Sequence, residues 1–170
     1  MDKEPTGFQL QLVPMERKEE FRQVFQAYLH GLARYYNFQA VNGQYVYGYF
    51  DAYWQEPEAR WLYGFFDNAG KFYGFAMVRL LEDGLHEMAE FGVVEGAKGQ
   101  GIGGKMLDAI LKRHTGGWRL EYASENVTAE KFWLKHFGHR EVYKKDVTLE
   151  TDGISKVELR VEKPLKGFEL

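Results

Sequence analysis

The sequence predicts an α/β (α+β) fold of about seven strands and about four helices, and three observations lead there. Apolar residues recur with a period of two in several short runs and with a helical period in others. Turn signals rich in Asp, Asn and Gly separate the runs. No linker or internal repeat divides the 170 residues, so residues 1–170 read as one domain, long enough to bury most of its apolar surface.

Phe8, Leu10 and Leu12 alternate with glutamines, as in a half-buried strand. After Pro14 the apolar positions Phe21, Val24, Phe25, Tyr28, Leu29 and Leu32 follow the i, i+3, i+4, i+7 rule of one helix face. From Tyr35 to Glu58 the pattern dissolves into aromatics, glycines and acids, which predicts a short helix and loop. Arg60 to Phe66 and Lys71 to Leu80 are strands joined by the hairpin signal Asp67-Asn68-Ala69-Gly70. His86 to Val94 is a third strand after the Asp83-Gly84 turn. Gly103 to His114 is helical, with Met106, Leu107, Ile110 and Leu111 on one side. Trp118 to Ala123 is a strand and Val127 to His136 a helix. Val142 to Leu149 and Lys156 to Val161 close the chain as a hairpin around Asp152-Gly153.

Composition narrows the function. The net charge is −3 and no long Lys/Arg run occurs, which argues against a nucleic-acid partner. There is no cysteine, which excludes disulfides, thiolate metal sites and a cysteinyl covalent intermediate. The segment Met1 to Gly7 is polar and no apolar run approaches membrane-spanning length, so a soluble, cytoplasmic protein is expected, with no membrane partner. His136 and His139 flank Gly138 and are too few to hold a metal; none is expected.

The stretch Ala97 to Met106 (AKGQGIGGKM) lies between a strand and a helix. Such a turn is a good anion site, because unpaired N–H groups and the helix dipole face outward and glycine permits close approach. A nucleoside triphosphate loop needs Ser or Thr after its Lys, and Met106 follows Lys105. A dinucleotide fingerprint belongs to a first βαβ unit followed by further parallel units, and this chain ends in a hairpin.

The run Glu90-Phe91-Gly92-Val93-Val94, then Lys98-Gly99-Gln100-Gly101-Ile102-Gly103, resembles the central motif of the GNAT superfamily of N-acetyltransferases. In that family a strand leads to an Arg/Gln-x-x-Gly-x-Gly/Ala loop at a helix N-terminus. Further on, Trp118-Arg119-Leu120-Glu121, Asn126, Ala129, Phe132-Trp133 and Gly138 resemble its second motif. The resemblance covers Glu90 to His139 and implies a mixed, mostly antiparallel sheet split by its cofactor. Lys98 stands where Arg or Gln is usual, Trp133 where a Tyr often serves as general acid, and His139 where Phe packs. An indole cannot protonate a thiolate.

The resemblance implies direct transfer of an acetyl group from acetyl-CoA, as co-substrate, to a primary amine in a ternary complex. It also implies cofactor contacts. Phe91, Val93 and Val94 would meet the pantetheine arm, and Lys98, Gly99, Gln100, Gly101, Ile102, Gly103 and Gly104 the pyrophosphate. Asn126 and Trp133 would contact the same ligand, although Asn126 also reads as a helix N-cap. Glu90 is the expected general base: a carboxylate among Met88, Ala89, Phe91 and Val93 is costly unless paired or raised in pKa. A solvated or Arg-paired glutamate is its plainer reading, and Glu87, of opposite parity, is expected on the surface. Tyr122, or a tyrosine from the N-terminal half, is the candidate general acid.

Tyr35, Tyr53 and Trp54 are the expected acceptor-binding residues. They stand for an aromatic stretch interleaved with Asp51, Glu56 and Glu58 that would suit a cationic amine, or would pack helices onto the sheet. The acceptor is then a small-molecule or peptide amine, and a homodimer is possible. The rival functions are a non-catalytic acyl-CoA-binding sensor and a nucleotide-binding protein.

Overall fold

The structure is a computed structural model and describes residues 7–148 and 153–164. Met1 to Thr6, together with Leu149 and Asp152 of the last hairpin, lie outside the described residues. Strands β1 (Gln9–Leu12), β2 (Arg60–Phe66), β3 (Phe72–Leu80), β4 (His86–Val93), β5 (Trp118–Ala123), β6 (Val142–Thr148) and β7 (Ser155–Val161) form one sheet in the order β1-β2-β3-β4-β5-β7-β6. Helices α1 (Lys18–Tyr36), α2 (Ala52–Gln55), α3 (Ile102–Arg113) and α4 (Val127–His136) flank it. The expected class holds, and β2, β5 and α4 have the expected bounds.

Local chemistry explains the sharp boundaries. The Asp67 side chain accepts from the N–H groups of Ala69 and Lys71, both at 2.9 Å, and so fixes the β2–β3 turn. Asn126 accepts from Ala129 N at 3.1 Å and starts α4. Asn37, in the left-handed conformation, ends α1.

Each face of the sheet has its own core. Phe65, Ala76, Val78 and Met88 pack under α3 and α4, against Met106, Leu107, Ile110 and Trp133. Leu62, Phe75 and Met77 pack under α1 and α2, against Phe21, Phe25, Leu29, Phe50 and Tyr53. Among the described residues no helix is long and apolar enough to cross a membrane.

Two irregularities shape the centre. All strand pairs are antiparallel except β4 with β5, which are parallel and touch only at His86–Trp118 and Glu87–Arg119. Beyond Glu87 the two strands splay apart. The β3–β4 register also slips by one residue, Met77 facing Glu90 while Val78 faces Met88, so Ala89 is the extra residue of a bulge. The bulge resets the side-chain alternation and puts Glu87 and Glu90 on the same face. Glu87 is therefore not the surface residue its parity suggests: its side chain is 14% exposed and pairs with Arg79 and Arg119.

Candidate active site

The splay opens a cleft of about 1970 Å³ across the middle of the molecule. One end is lined by Val93, Val94, the loop from Lys98 to Gly104, and α4; the other by α1, Tyr45, Tyr47, Glu121 and Lys156. Glu90 sits between them.

Glu90 is held by two tyrosines. Tyr28 of α1 donates to Oε1 at 2.9 Å, and Tyr47 of the loop after α1 donates to Oε2 at 3.1 Å. Tyr28 reaches it because Gly92 leaves room for its ring: a Cβ there would come within 2.8 Å of Tyr28 Cδ1. Burial of the carboxylate raises Glu90 to about 7, against the opposing bonds from Tyr28 and Tyr47; Glu87 adds repulsion and Lys156 a smaller attraction. Burial and the nearby Glu90 raise Tyr28 and Tyr47 well above a free phenol. Both hydroxyls thus stay protonated donors.

The β4 edge offers hydrogen bonds to a ligand. Val94 N donates to Tyr73 O at 2.9 Å, toward β3. Neighbouring amides of an antiparallel ladder point to opposite sides, so the Val93 N–H points away from β3 into the cleft. The Phe91 N–H, two residues earlier on the strand, points the same way.

The glycine loop reaches the cleft through Lys98, Gly99, Gly101, Ile102, Gly103 and Gly104; the Gln100 side chain is exposed and does not line it. Gly101 is the N-cap of α3 with φ +73°, and no side chain caps that end. The first amides of α3 are left without helical partners and face the cleft. This donor set fits a pyrophosphate. Lys98 is shared with Glu95 at 2.7 Å, while Lys131 and Lys135 of α4 add charge along the same wall. Trp133 is 6% exposed and lines the cleft, edge-on to Phe91 at 5.1 Å. Asn126 lines it too while capping α4.

Other expected residues stand differently. Tyr122 lines the cleft, but its hydroxyl donates to Glu130 at 2.8 Å, and burial with that bond raises its pKa. Tyr35 lines the cleft at the α1 end, whereas Tyr53 and Trp54 do not line it. Tyr53 is the buried residue of α2, and the Trp54 indole donates to Val13 O at 3.0 Å. Asp51 pairs with Lys18 and Glu56 with Arg60, away from the cleft. The aromatic stretch therefore contributes Tyr35, Tyr36, Phe38, Tyr45 and Tyr47 to the cleft, while Tyr53 and Trp54 pack elsewhere. Sequence patterning does not single out Tyr28 and Tyr47 as the hydrogen-bond partners of Glu90. Among the described residues no group of three or more His, Asp or Glu is placed to hold a metal.

Structural comparison finds the same architecture in acetyltransferases. Spermidine N-acetyltransferase from Vibrio cholerae, solved with CoA and spermine, superposes with a TM-score of 0.70 at 10% identity, covering 93% of this chain and 96% of that one. Ribosomal-protein-S18-alanine N-acetyltransferase from Escherichia coli gives 0.62 at 14% identity, covering 96% and 98%. Ard1 from Thermoplasma volcanium gives 0.63 at 17% identity, covering 92% and 98%. No curated protein matches the chain in sequence. The model of the acetyltransferase (GNAT) family matches residues 20–139, well over half of the chain. The chain belongs to the GNAT family of acetyltransferases.

Proposed function

We propose that this chain, as one domain over residues 1–170, moves an acetyl group from acetyl-CoA to a primary amine by direct attack, with Glu90 as general base. The observation that carries the reading is Glu90 itself. It is a half-buried carboxylate raised to about 7, lining the cleft beyond the point where β4 and β5 part. A base with that affinity takes a proton near neutral pH and is half ionised there.

Acetyl-CoA supplies the acyl group as a thioester. The amides at the start of α3 and the Lys131 and Lys135 ammonium groups hold its phosphates, and the β4 edge aligns its arm. The Val93 N–H donates to the carbonyl oxygen as that oxygen gains charge, a contribution of ~10²–10³ in rate for such a donor. Glu90 takes the proton of the attacking amine, directly or through one water, and passes it to solvent. Each Glu90 oxygen keeps a free lone pair beside its tyrosine, so both can stay in place during the transfer.

Trp133 favours one rival reading, a non-catalytic acyl-CoA sensor, because it removes the family's tyrosine acid. The leaving thiol has a pKa close enough to neutrality to depart as the anion, so solvent can protonate it and Trp133 serves as an apolar wall. Coenzyme A release over a library of amines separates the two readings. The proposed enzyme releases it with at least one amine, and Glu90→Gln lowers that turnover by ~10²–10⁴ while keeping acetyl-CoA affinity. Acetyl-CoA binding without release for any amine would leave the sensor.

A further inference from the structure

The acceptor end of the cleft has an unequal charge pattern. Its carboxylates are Glu90 and Glu121. Glu121 is engaged by Arg119 at 2.6 Å, and both Glu90 oxygens are engaged by tyrosines. Its long cations are Arg34 near the end of α1 and Lys156 on β7. Arg34 only donates to the Tyr35 hydroxyl, at 2.8 Å, and Lys156 Nζ lies 5.4 Å from the Tyr36 ring centre. Neither has a carboxylate within ion-pair distance among the described residues. Of the other basic side chains on this face of the sheet, Arg60, Arg79, Arg119 and Arg160 each hold a glutamate, and Lys145 stands opposite Glu158 in the β6–β7 ladder. Lys156 is half-buried and still unpaired, although a partly desolvated ammonium needs a counter-charge.

Donors gather around it. Lys156 faces Ala123 across the β5–β7 ladder. Ser124 N donates to Ser155 O, toward β7, so the Ala123 N–H points the other way, into the cleft. Tyr36 lines the same end of the cleft, beside Lys156. Its phenol can donate to a ligand there. An ammonium and a phenol proton face the same space, across the cleft from Glu90.

We propose that Lys156 and Tyr36 form a carboxylate subsite and that the acceptor is a free amino acid. Its amine faces Glu90, its carboxylate faces Lys156, and its side chain lies among Tyr28, Tyr35, Tyr45 and Tyr47. The proposal rests on the acetyltransferase reading. It separates this chain from polyamine chemistry, since the second ammonium of a polyamine would face Lys156 and Arg34.

Calorimetric binding to the full chain with coenzyme A present tests it, using the twenty free amino acids, their amides, N-terminally matched dipeptides and spermidine. The best amino acid binds about tenfold or more tightly than its own amide, the scale of one charge-assisted contact, and more tightly than its dipeptide or spermidine. Lys156→Met brings it down to the level of the amide, Lys156→Arg restores most of the loss, and Lys145→Met changes nothing. The subsite is overturned if every amino acid binds no better than its amide, or if Lys156→Met leaves the preference intact. Because binding is the readout, the two proposals fail separately. A bound amino acid that yields no coenzyme A release defeats acetyl transfer alone, and release with spermidine but no amino acid defeats the subsite alone.

Discussion

At Glu90 three influences compete, and their balance is open to measurement. Loss of hydration favours the neutral acid and dominates, the bonds from Tyr28 and Tyr47 favour the carboxylate, and Glu87 disfavours it. Tyr47→Phe removes one bond that favours the charged form, so Glu90 rises further. With Glu90 as the proposed base, the acid limb of kcat/KM against pH should move upward by roughly one unit, the scale of a hydrogen bond to a charged group. A limb that stays in place would assign it to another group. Glu90 is legible in the sequence because an acid flanked by Met88, Ala89 and Phe91 stands out. Its partners are not. Periodicity marks Tyr28 as a buried ring, and its ring does stack on Phe25 at 5.8 Å, but periodicity is silent on where a phenol tip points. Tyr47 comes from a stretch with no period at all.

At the scale of the element, the bulge in β4 and the N-terminus of α3 do most to build the site. One extra residue, Ala89, defeats any reading of β4 by parity, which is why Glu87 was expected on the surface and lies instead in an ion-pair network. Registers are set by partner strands, and a single strand's sequence does not contain them. The glycine loop is legible because its chemistry is local. Gly101 holds φ +73° at the start of α3, a backbone state that β-branched residues rarely adopt. Gly101→Val should cost ~1–3 kcal/mol of stability from strain and tilt the first amides away from a ligand. The rise in Tm with acetyl-CoA concentration should then vanish. An undiminished rise would place the phosphates elsewhere.

Across the whole molecule, two buried titratable centres sit on opposite faces of the sheet and pull its pH dependence in opposite directions. On the α3 face His114 packs against Trp61 at 4.7 Å and His86 at 4.6 Å, and its Nε2 bonds the Tyr63 hydroxyl at 2.7 Å. Burial, with repulsion from His86 and Arg113, lowers His114 from 6.5 to about 4. Between those values the unfolded chain binds a proton that the folded one refuses, so stability falls as pH drops through the window. On the α1 face Glu90 is raised from 4.5 to about 7, so there the folded chain holds a proton that the unfolded one has lost, and stability falls as pH rises. From about pH 4.5 to 6.5 the two effects overlap, and each is worth about 1.4 kcal/mol per pH unit at full strength. In the wild type they largely cancel. Single variants should expose them. His114→Phe leaves Glu90 unopposed and should lose stability as pH rises through this window, whereas Glu90→Gln leaves His114 unopposed and should gain it. Urea unfolding at pH 5, 5.5 and 6 reads both slopes. Parallel slopes in the wild type and both variants would show that neither group titrates between the folded and unfolded chains as its surroundings require.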